Sequence, residues 1–497
     1  MDFFKEFYFD DFSLDFYKIS DDEDEDIITQ KFLQLKSDSD LFQQISSYVN
    51  DEKNIDLLNL IIKQISEPPF LSLVDFFQSN LFFIFLNQLK SSDIPDDRAL
   101  SILNCIFYSM HDDIKNVISF FSDESLPLSF FHVFMSFYKR SQLSPLEKLN
   151  SPFFLLFLKT LRVIFKNSDV GPSFALSLIC IDQSEMFRLI CSDAKTCKTP
   201  QNFSLLIPIF NFFSLIKYIL FSYHNQNDVD NISDIDQAKS YSSLGYAISS
   251  ISQLIPIAID NIKEKPAARF LCRYLRNQFC KSIAENSKQN TELIKKILEA
   301  LDEADSETLS YIFVCMELLP IESTQILKNE DFLSDLSFHL IHIENEYLSP
   351  ILSFIDYFSE DFFSSFEAFD IPRTLVKTYP DRNQRMKAKI VILSLHFILI
   401  FLNERDEDPE TYNEFPDWIE PAFYQALDVF EVSSYKQQKI EIQLISSICE
   451  ISCNYFISIA ETINFEEILV NCLEESINED FSHLIQSFLH TFYDHSQ

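Results

Sequence analysis

Two glycines, at positions 171 and 245, are all that this chain of 497 residues contains. Glycine supplies the positive φ angles of tight turns and lets the backbone approach a phosphate group closely. Phosphate-binding loops, dinucleotide fingerprints, kinase glycine-rich loops and nucleophile elbows all need glycines at fixed spacing, and this sequence contains none of these motifs. Asn-Gly hairpin turns are absent as well. The sequence therefore predicts an all-α protein and argues against most nucleotide-dependent enzymes.

The spacing of apolar residues supports the all-α prediction from residue 31 to residue 497. Apolar stretches of roughly 10 to 20 residues alternate with short polar breaks, and within them apolar residues recur at the spacing of a helix face. Polar residues that can accept hydrogen bonds from the first turn of a helix precede several of these stretches. We expect Asp305 and Ser334 to cap helices in this way.

Three of these stretches resemble the long third helix of an armadillo repeat followed by a polar turn. They are PFFLLFLKTLRVIFKNSD, SLGYAISSISQLIPIAIDNIKEK and RMKAKIVILSLHFILIFLNE. The chain thus resembles the armadillo/HEAT-type α-solenoids, whose fold is a right-handed superhelix of stacked helix pairs or triplets. The resemblance implies one continuous repeat domain over residues 31–497. No regular ladder of asparagines follows the helices, so no peptide-binding residue of that family is carried over.

Residues 1–30 differ from the rest of the chain, because they hold eleven acidic residues and two lysines among many aromatic residues. Like charges at this density resist packing. The segment is predicted to be partly disordered or to cover the end of the repeat domain, and a docking peptide is an equally weighted alternative.

Two basic segments, residues 263–281 and 373–389, stand out in a chain whose net charge is −37. That net charge opposes binding to nucleic acid. Counting about 100° per residue along a helix places three arginines of the first segment on one narrow stripe. An arginine fork suits carboxylate and phosphate groups, so we predict that both segments bind an acidic or phosphorylated partner peptide. The alternative is that they neutralise acidic neighbours within the chain. The predicted partner-binding residues are Arg269, Arg273, Arg276, Arg382, Arg385 and Lys389.

No catalytic, cofactor or metal site is predicted from the sequence. His339 and His342 are three residues apart, as two metal ligands on a helix can be, but no third ligand follows at helical spacing, which favours surface histidines. Cys449 and Cys453 are four residues apart among apolar residues and are interpreted as buried thiols on one helix face. The ten cysteines form no CxxC motif and suit a reducing compartment. We therefore expect a cytoplasmic protein, with the nucleus as the alternative.

The best candidate for a membrane span is residues 203–223, whose length would suffice. Pro208, Asn211 and Lys217 interrupt it, which favours a buried helix pair and no membrane span. The resemblance implies a non-enzymatic scaffold or adaptor for protein partners, of which a nuclear-transport-type receptor and a regulatory subunit of a kinase or phosphatase are special cases. One alternative is an autoinhibited regulator, in which residues 1–26 lie on a basic stripe of the same chain. The others are an all-α enzyme of unrecognised type and a membrane-associated protein.

Overall fold

The structure of the chain is a computed structural model. It describes residues 60, 81–91, 94–109, 125–140, 143–166, 171–197, 203–213, 243, 245–275, 287–301, 303–404, 415–476 and 478–493. Every regular element in these ranges is a helix, which confirms the all-α prediction for them. The described residues fall into two compact units, an N-terminal unit up to Lys296 and a C-terminal unit from Ile297 onward. The acidic segment 1–30 lies outside the described residues, and its boundary with a repeat domain at residue 31 stays a prediction.

The N-terminal unit is built from short helices that are joined by aromatic contacts. Its helices are α1 (Leu81–Leu89), α2 (Asp96–Ser109), α3 (Ser125–Arg140), α4 (Pro145–Leu149), α5 (Pro152–Lys166), α6 (Gly171–Cys180), α7 (Glu185–Lys195), α8 (Phe203–Phe213), α9 (Ile255–Asp260) and α10 (Lys265–Leu275), and α11 (Ser287–Ala300) crosses the boundary between the units. Helix α5 packs between α2 and α8, and α8 packs on α10. The ring of Phe130 on α3 lies 5.7 Å from that of Phe174 on α6, and Phe210 on α8 lies 5.2 Å from Phe270 on α10. Phenylalanine, which is abundant in this chain, therefore joins helices of the unit that are not adjacent in sequence.

The C-terminal unit has longer helices that pack in two rows. They are α12 (Ser306–Glu317), α13 (Pro320–Ile326), α14 (Glu330–His342), α15 (Asn345–Ala368), α16 (Ile371–Thr378), α17 (Gln384–Asn403), α18 (Ile419–Phe430), α19 (Tyr435–Ile451), α20 (Cys453–Thr462), α21 (Phe465–Glu475) and α22 (Glu479–Phe492). In the first row, α12, α15, α17, α19 and α22 each pack on the next. In the second row, α14, α16, α18 and α20 do the same, and α17 joins the rows by packing on α18.

Side-chain hydrogen bonds join neighbouring helices of each row in the C-terminal unit, between residues that are 36 to 49 positions apart. In the first row, Ser353 donates to Glu317 over 36 positions, and His396 meets Asp356 over 40 positions. In the second row, Tyr424 and Thr462 are bonded over 38 positions. Within the described residues of this unit, each row is therefore built from helices that are not adjacent in sequence and that pack on the next member of the row.

Polar caps begin several of these helices, although not always where the sequence placed them. Asp305 accepts a hydrogen bond from the amide of Thr308 at 2.7 Å, which confirms it as the cap of α12. The prediction for Ser334 is wrong, because α14 already begins at Glu330 with Asn329 as its cap. The side-chain oxygen of Asn329 accepts hydrogen bonds from backbone amides of the first turn. The acidic residues in that turn interact favourably with the positive end of the helix dipole.

Left-handed backbone occurs in this fold without glycine. The described residues with positive φ are Asp182, Gln183, Ser184, Asp370 and Asn464, and neither glycine is among them. Aspartate and asparagine tolerate this region of φ and ψ better than other residues. The buried Ser184 hydroxyl lies 2.9 Å from the carbonyl oxygen of Ile179 and 2.7 Å from that of Ser243, so tertiary hydrogen bonding holds its left-handed conformation. The scarcity of glycine therefore does not prevent left-handed turns in the described residues, whereas it limits the number of places where two backbones can approach closely.

One of the described helices, α17, is long and apolar enough to cross a membrane. However, 72% of its 18-residue apolar window is buried inside the fold, as in the core helix of a folded unit. The predicted membrane candidate 203–223 is described only as far as Phe213, where its first part forms the 11-residue helix α8 with Pro208 inside. The expected buried helix pair lies partly outside the described residues.

Candidate functional site

The first basic stripe lies on α10, and its described arginines are buried. Arg269 is 5% exposed and Arg273 is 4% exposed, and an Arg269 Nη donates to the side-chain oxygen of Asn211 on α8. The helical wheel treats this stripe as the outer face of an amphipathic helix, and the structure corrects that interpretation. Because α8 and α9 both pack on α10, the charged side of the helix is enclosed as well as the apolar side. Arg276 lies outside the described residues, and partner binding by this stripe stays a prediction.

In the second basic segment, Arg382 binds the end of a neighbouring helix. Its guanidinium donates to the carbonyl oxygen of Ile343 at 2.6 Å, to that of Ile341 at 3.2 Å and to that of Leu340. These are carbonyl groups at the C-terminus of α14, where the helix has no further amides to bond them. Partial burial lowers the pKa of Arg382 from its ordinary value. The geometry therefore gives this arginine a capping role within the chain.

Arg382→Met is expected to lower the stability of the C-terminal unit by about 1 to 2 kcal/mol, because the carbonyls of α14 lose a charged donor while water replaces it only in part. The measurement is the thermal midpoint followed by fluorescence of Trp418, the single tryptophan of the chain, which is 4% exposed in this unit. Arg385→Met is the matched control, because Arg385 is exposed in the first turn of α17. An Arg382→Met midpoint equal to that of the control would contradict the capping role.

The remaining basic residues of the second segment have different environments. Lys389 is 2% exposed, and its ammonium donates to the hydroxyl of Ser349 on α15. Arg385 is exposed. Arg373 forms ion pairs of 2.6 Å with Asp370 and with Asp417, which raise the pKa of this guanidinium. Of the six residues predicted to bind a partner, the structure therefore places Arg385 on the surface and buries Arg269, Arg273 and Lys389.

A serine, a histidine and an aspartate come together between α15 and α17. His396 Nδ1 lies 2.9 Å from Asp356 Oδ1 and 3.4 Å from the Ser359 hydroxyl oxygen. In a hydrolytic triad the aspartate and the serine face opposite nitrogens of the ring, so that one nitrogen can accept the serine proton. Here both face the same nitrogen, and Ser359 is fully buried. The three side chains therefore link two helices and do not form a nucleophile with its base.

The histidine and cysteine patterns of the sequence form no metal site in the described ranges, where no group of three or more His, Cys, Asp or Glu side chains is placed to hold an ion. The ring of exposed His342 packs on Phe338 at 4.3 Å. Cys449 is buried, and burial raises the pKa of its thiol. Cys453 is exposed, contrary to the predicted burial, because the helix breaks at Ser452 and α20 starts after it.

A groove near the C-terminal end of the chain was not anticipated from motifs. It has a volume of about 520 Å³ and lies where α19 and α22 begin and α21 ends. We call it the C-terminal groove, and its lining residues are Glu431, Tyr435, Gln438, Asn471, Cys472, Glu474, Ser476, Asn478 and Phe481. A count of charge by segment would have drawn attention to this part of the chain, because residues 415–497 hold fourteen acidic residues and two lysines.

No family model matches the chain, and no curated protein matches it in sequence. One solved structure, from work on a conserved phosphorylation switch that controls the interaction between cadherin and beta-catenin, aligns with 95% of this chain and 99% of that chain. The aligned residues are 12% identical and the TM-score is 0.31. A similarity at this level assigns neither a fold nor a function to the chain.

Proposed function

We propose that the chain is a non-enzymatic α-solenoid of the armadillo/HEAT type, which acts as a scaffold or adaptor for protein partners. The observation that carries this proposal is the packing of the C-terminal unit in two rows, with side-chain hydrogen bonds within each row between residues 36 to 49 positions apart. Armadillo and HEAT repeats have a period of about 40 to 47 residues. Stacked repeats contact only their neighbours, which leaves an extended surface for partners. The right-handed superhelix is part of the proposal.

The use of polar side chains in the described residues supports a binding role over a catalytic one. Arg382 caps a helix, Lys389 joins two helices, and the cluster of Ser359, His396 and Asp356 links α15 to α17. Exposed Arg385 is the position at which we propose contact with an acidic or phosphorylated peptide. A nuclear-transport-type receptor and a regulatory subunit of a kinase or phosphatase are the two special cases of this function.

The location is also part of the proposal. The nine cysteines in the described ranges are free thiols, and six of them are buried. Reduced thiols of this kind fit a cytoplasmic or nuclear location.

The function is tested by reconstitution. Proteins captured with the tagged full chain from its native cell are identified by mass spectrometry, purified, and mixed with the purified chain. Size-exclusion chromatography with light scattering is then expected to show a complex of defined stoichiometry for at least one of them. If no captured protein forms a complex with the purified chain, the scaffold proposal fails.

A further inference from the structure

The walls of the C-terminal groove are three helix ends, and local hydrogen bonds fix two of them in place. At the start of α19, the Ser434 hydroxyl and amide donate to Gln437 Oε1 at 2.8 and 3.0 Å. At the start of α22, Asn478 accepts from the amide of Phe481 at 3.2 Å. The rings of Tyr435 and Phe481 meet edge to face at 5.2 Å and join these two helices. A groove that is formed in advance binds with a smaller loss of conformational entropy.

The groove combines an exposed aromatic ring with carboxylates, and two exposed valines adjoin its lining residues in sequence. Tyr435 is 38% exposed although its ring is part of the wall. Val432 and Val470, each next in sequence to a lining residue, are 60% and 38% exposed. Glu431 and Glu474 are exposed lining residues. The volume of about 520 Å³ falls in the range of roughly 300 to 1,000 Å³ that binding sites for small ligands and side chains occupy.

Charge decides what kind of segment fits this groove. Residues 415–497 hold fourteen acidic residues and only two basic ones, Lys436 and Lys439. An acidic or phosphorylated peptide would meet like charge here, which costs binding energy and slows association. An arginine or lysine side chain would instead find carboxylates for its charge and the face of a tyrosine ring for a cation–π contact.

We propose that the C-terminal groove binds a basic segment of a protein partner, in which arginine or lysine alternates with apolar residues. The cationic groups pair with Glu431 and Glu474 and lie over Tyr435, and the apolar residues cover Val432 and Val470. This inference rests on the proposed scaffold function and adds to it the chemistry of one partner. It also gives this groove a partner of opposite charge to the acidic peptide that is proposed to contact Arg385.

The test uses the purified full chain and a phage-displayed library of random dodecapeptides. We expect the enriched peptides to carry arginine or lysine among apolar residues. The most enriched peptide is then synthesised, and its affinity is measured by isothermal titration calorimetry. Glu431→Gln combined with Glu474→Gln is expected to weaken binding about tenfold, and raising the salt concentration is expected to weaken it further. Both glutamates lie at the C-terminal end of a helix, where a negative charge does not stabilise the helix dipole.

The control is a variant with Asp361→Asn and Glu404→Gln, which removes two exposed acidic side chains elsewhere in the C-terminal unit. It is expected to change the affinity less than about twofold, since neither residue lines the groove and salt screens charges outside it. Thermal melting followed by Trp418 fluorescence checks that both double variants remain folded. Enrichment of acidic peptides, no enrichment at all, or equal binding by the two double variants would each overturn the groove proposal. The scaffold function is decided separately, by the reconstituted complex.

Discussion

Glu441→Gln is expected to raise the thermal midpoint of the C-terminal unit by roughly 5 °C at pH 7 and by more at pH 8.5, and to leave it nearly unchanged at pH 5. Glu441 lies on α19 and is fully buried. Burial raises the pKa of its carboxyl from 4.5 to about 8, and the hydrogen bond that Ser433 donates to Oε1 at 3.0 Å opposes this only in part. Its other carboxyl oxygen has no hydrogen-bond partner within the described structure.

The sign of the effect follows from proton binding in the two states. Between pH 4.5 and about pH 8 the folded chain keeps a proton on Glu441 that the unfolded chain has released. The folded state therefore binds more protons, and stability falls as the pH rises through this window. At pH 7 the cost is about 3 kcal/mol. Glutamine removes the ionisation, while the buried amide hydrogens that it introduces offset about 1 kcal/mol of the gain.

The control for this prediction is Glu450→Gln, which changes an exposed glutamate on the same helix. The midpoint is followed by Trp418 fluorescence at pH 5, 7 and 8.5, and a difference of 1 kcal/mol corresponds to roughly 2 to 4 °C in a unit of this size. We expect the gain to grow with pH for Glu441→Gln and to be absent for Glu450→Gln. A gain that is the same at every pH would show that the side chain is not protonated in the folded chain.

The burial of Glu441 could have been read from the sequence. Leu444, Ile445 and Ile448 follow it at the three-, four- and seven-residue intervals of one helix face, and all three are buried. A glutamate on such a face is predicted to be buried. The contacts of that face could not be foreseen, because Ser433 reaches Glu441 across the turn between α18 and α19.

The first basic segment shows that a helical wheel predicts which side chains share a side of a helix but not whether that side is buried. The wheel correctly groups Arg269 and Arg273 on one side of a helix, but both are buried because a second helix covers that side. Helix periodicity gives the relative direction of side chains and not the number of neighbours around the helix. Because α8 and α9 both pack on α10, its charged stripe meets another helix of the chain. The partner of Arg269, Asn211, lies 58 positions away and has no local signal.

Gly171→Ala is expected to lower the thermal midpoint of the N-terminal unit by roughly 5 °C, and Gly245→Ala is expected to raise it by roughly 2 °C. Neither glycine has a positive φ angle. A Cβ atom on Gly171 would lie 2.4 Å from the carbonyl oxygen of Phe165 and 2.9 Å from that of Ile164. These are backbone atoms of the last turn of α5, which cannot rotate away as the end of a side chain can.

The two helices must therefore separate to admit a methyl group, and an overpacked contact of this kind costs about 2 kcal/mol or more. No atom lies within 4 Å of the corresponding position on Gly245, which is helical. Alanine there reduces the entropy of the unfolded chain and is expected to add about 0.5 to 1 kcal/mol. The two substitutions are chemically identical, so their difference isolates the close approach of α5 and α6.

Far-UV circular dichroism gives the midpoints, and hydrogen exchange followed by mass spectrometry locates the change. Peptides from α5 and α6 are expected to exchange faster in Gly171→Ala than in Gly245→Ala, while peptides from α12 to α22 keep their rates in both. If both variants gained stability, the chain would have no need of glycine at either position. The expected opposite signs would show that one of its two glycines is retained for backbone contact between helices, since the left-handed positions of the fold are already taken by aspartate, asparagine, glutamine and serine.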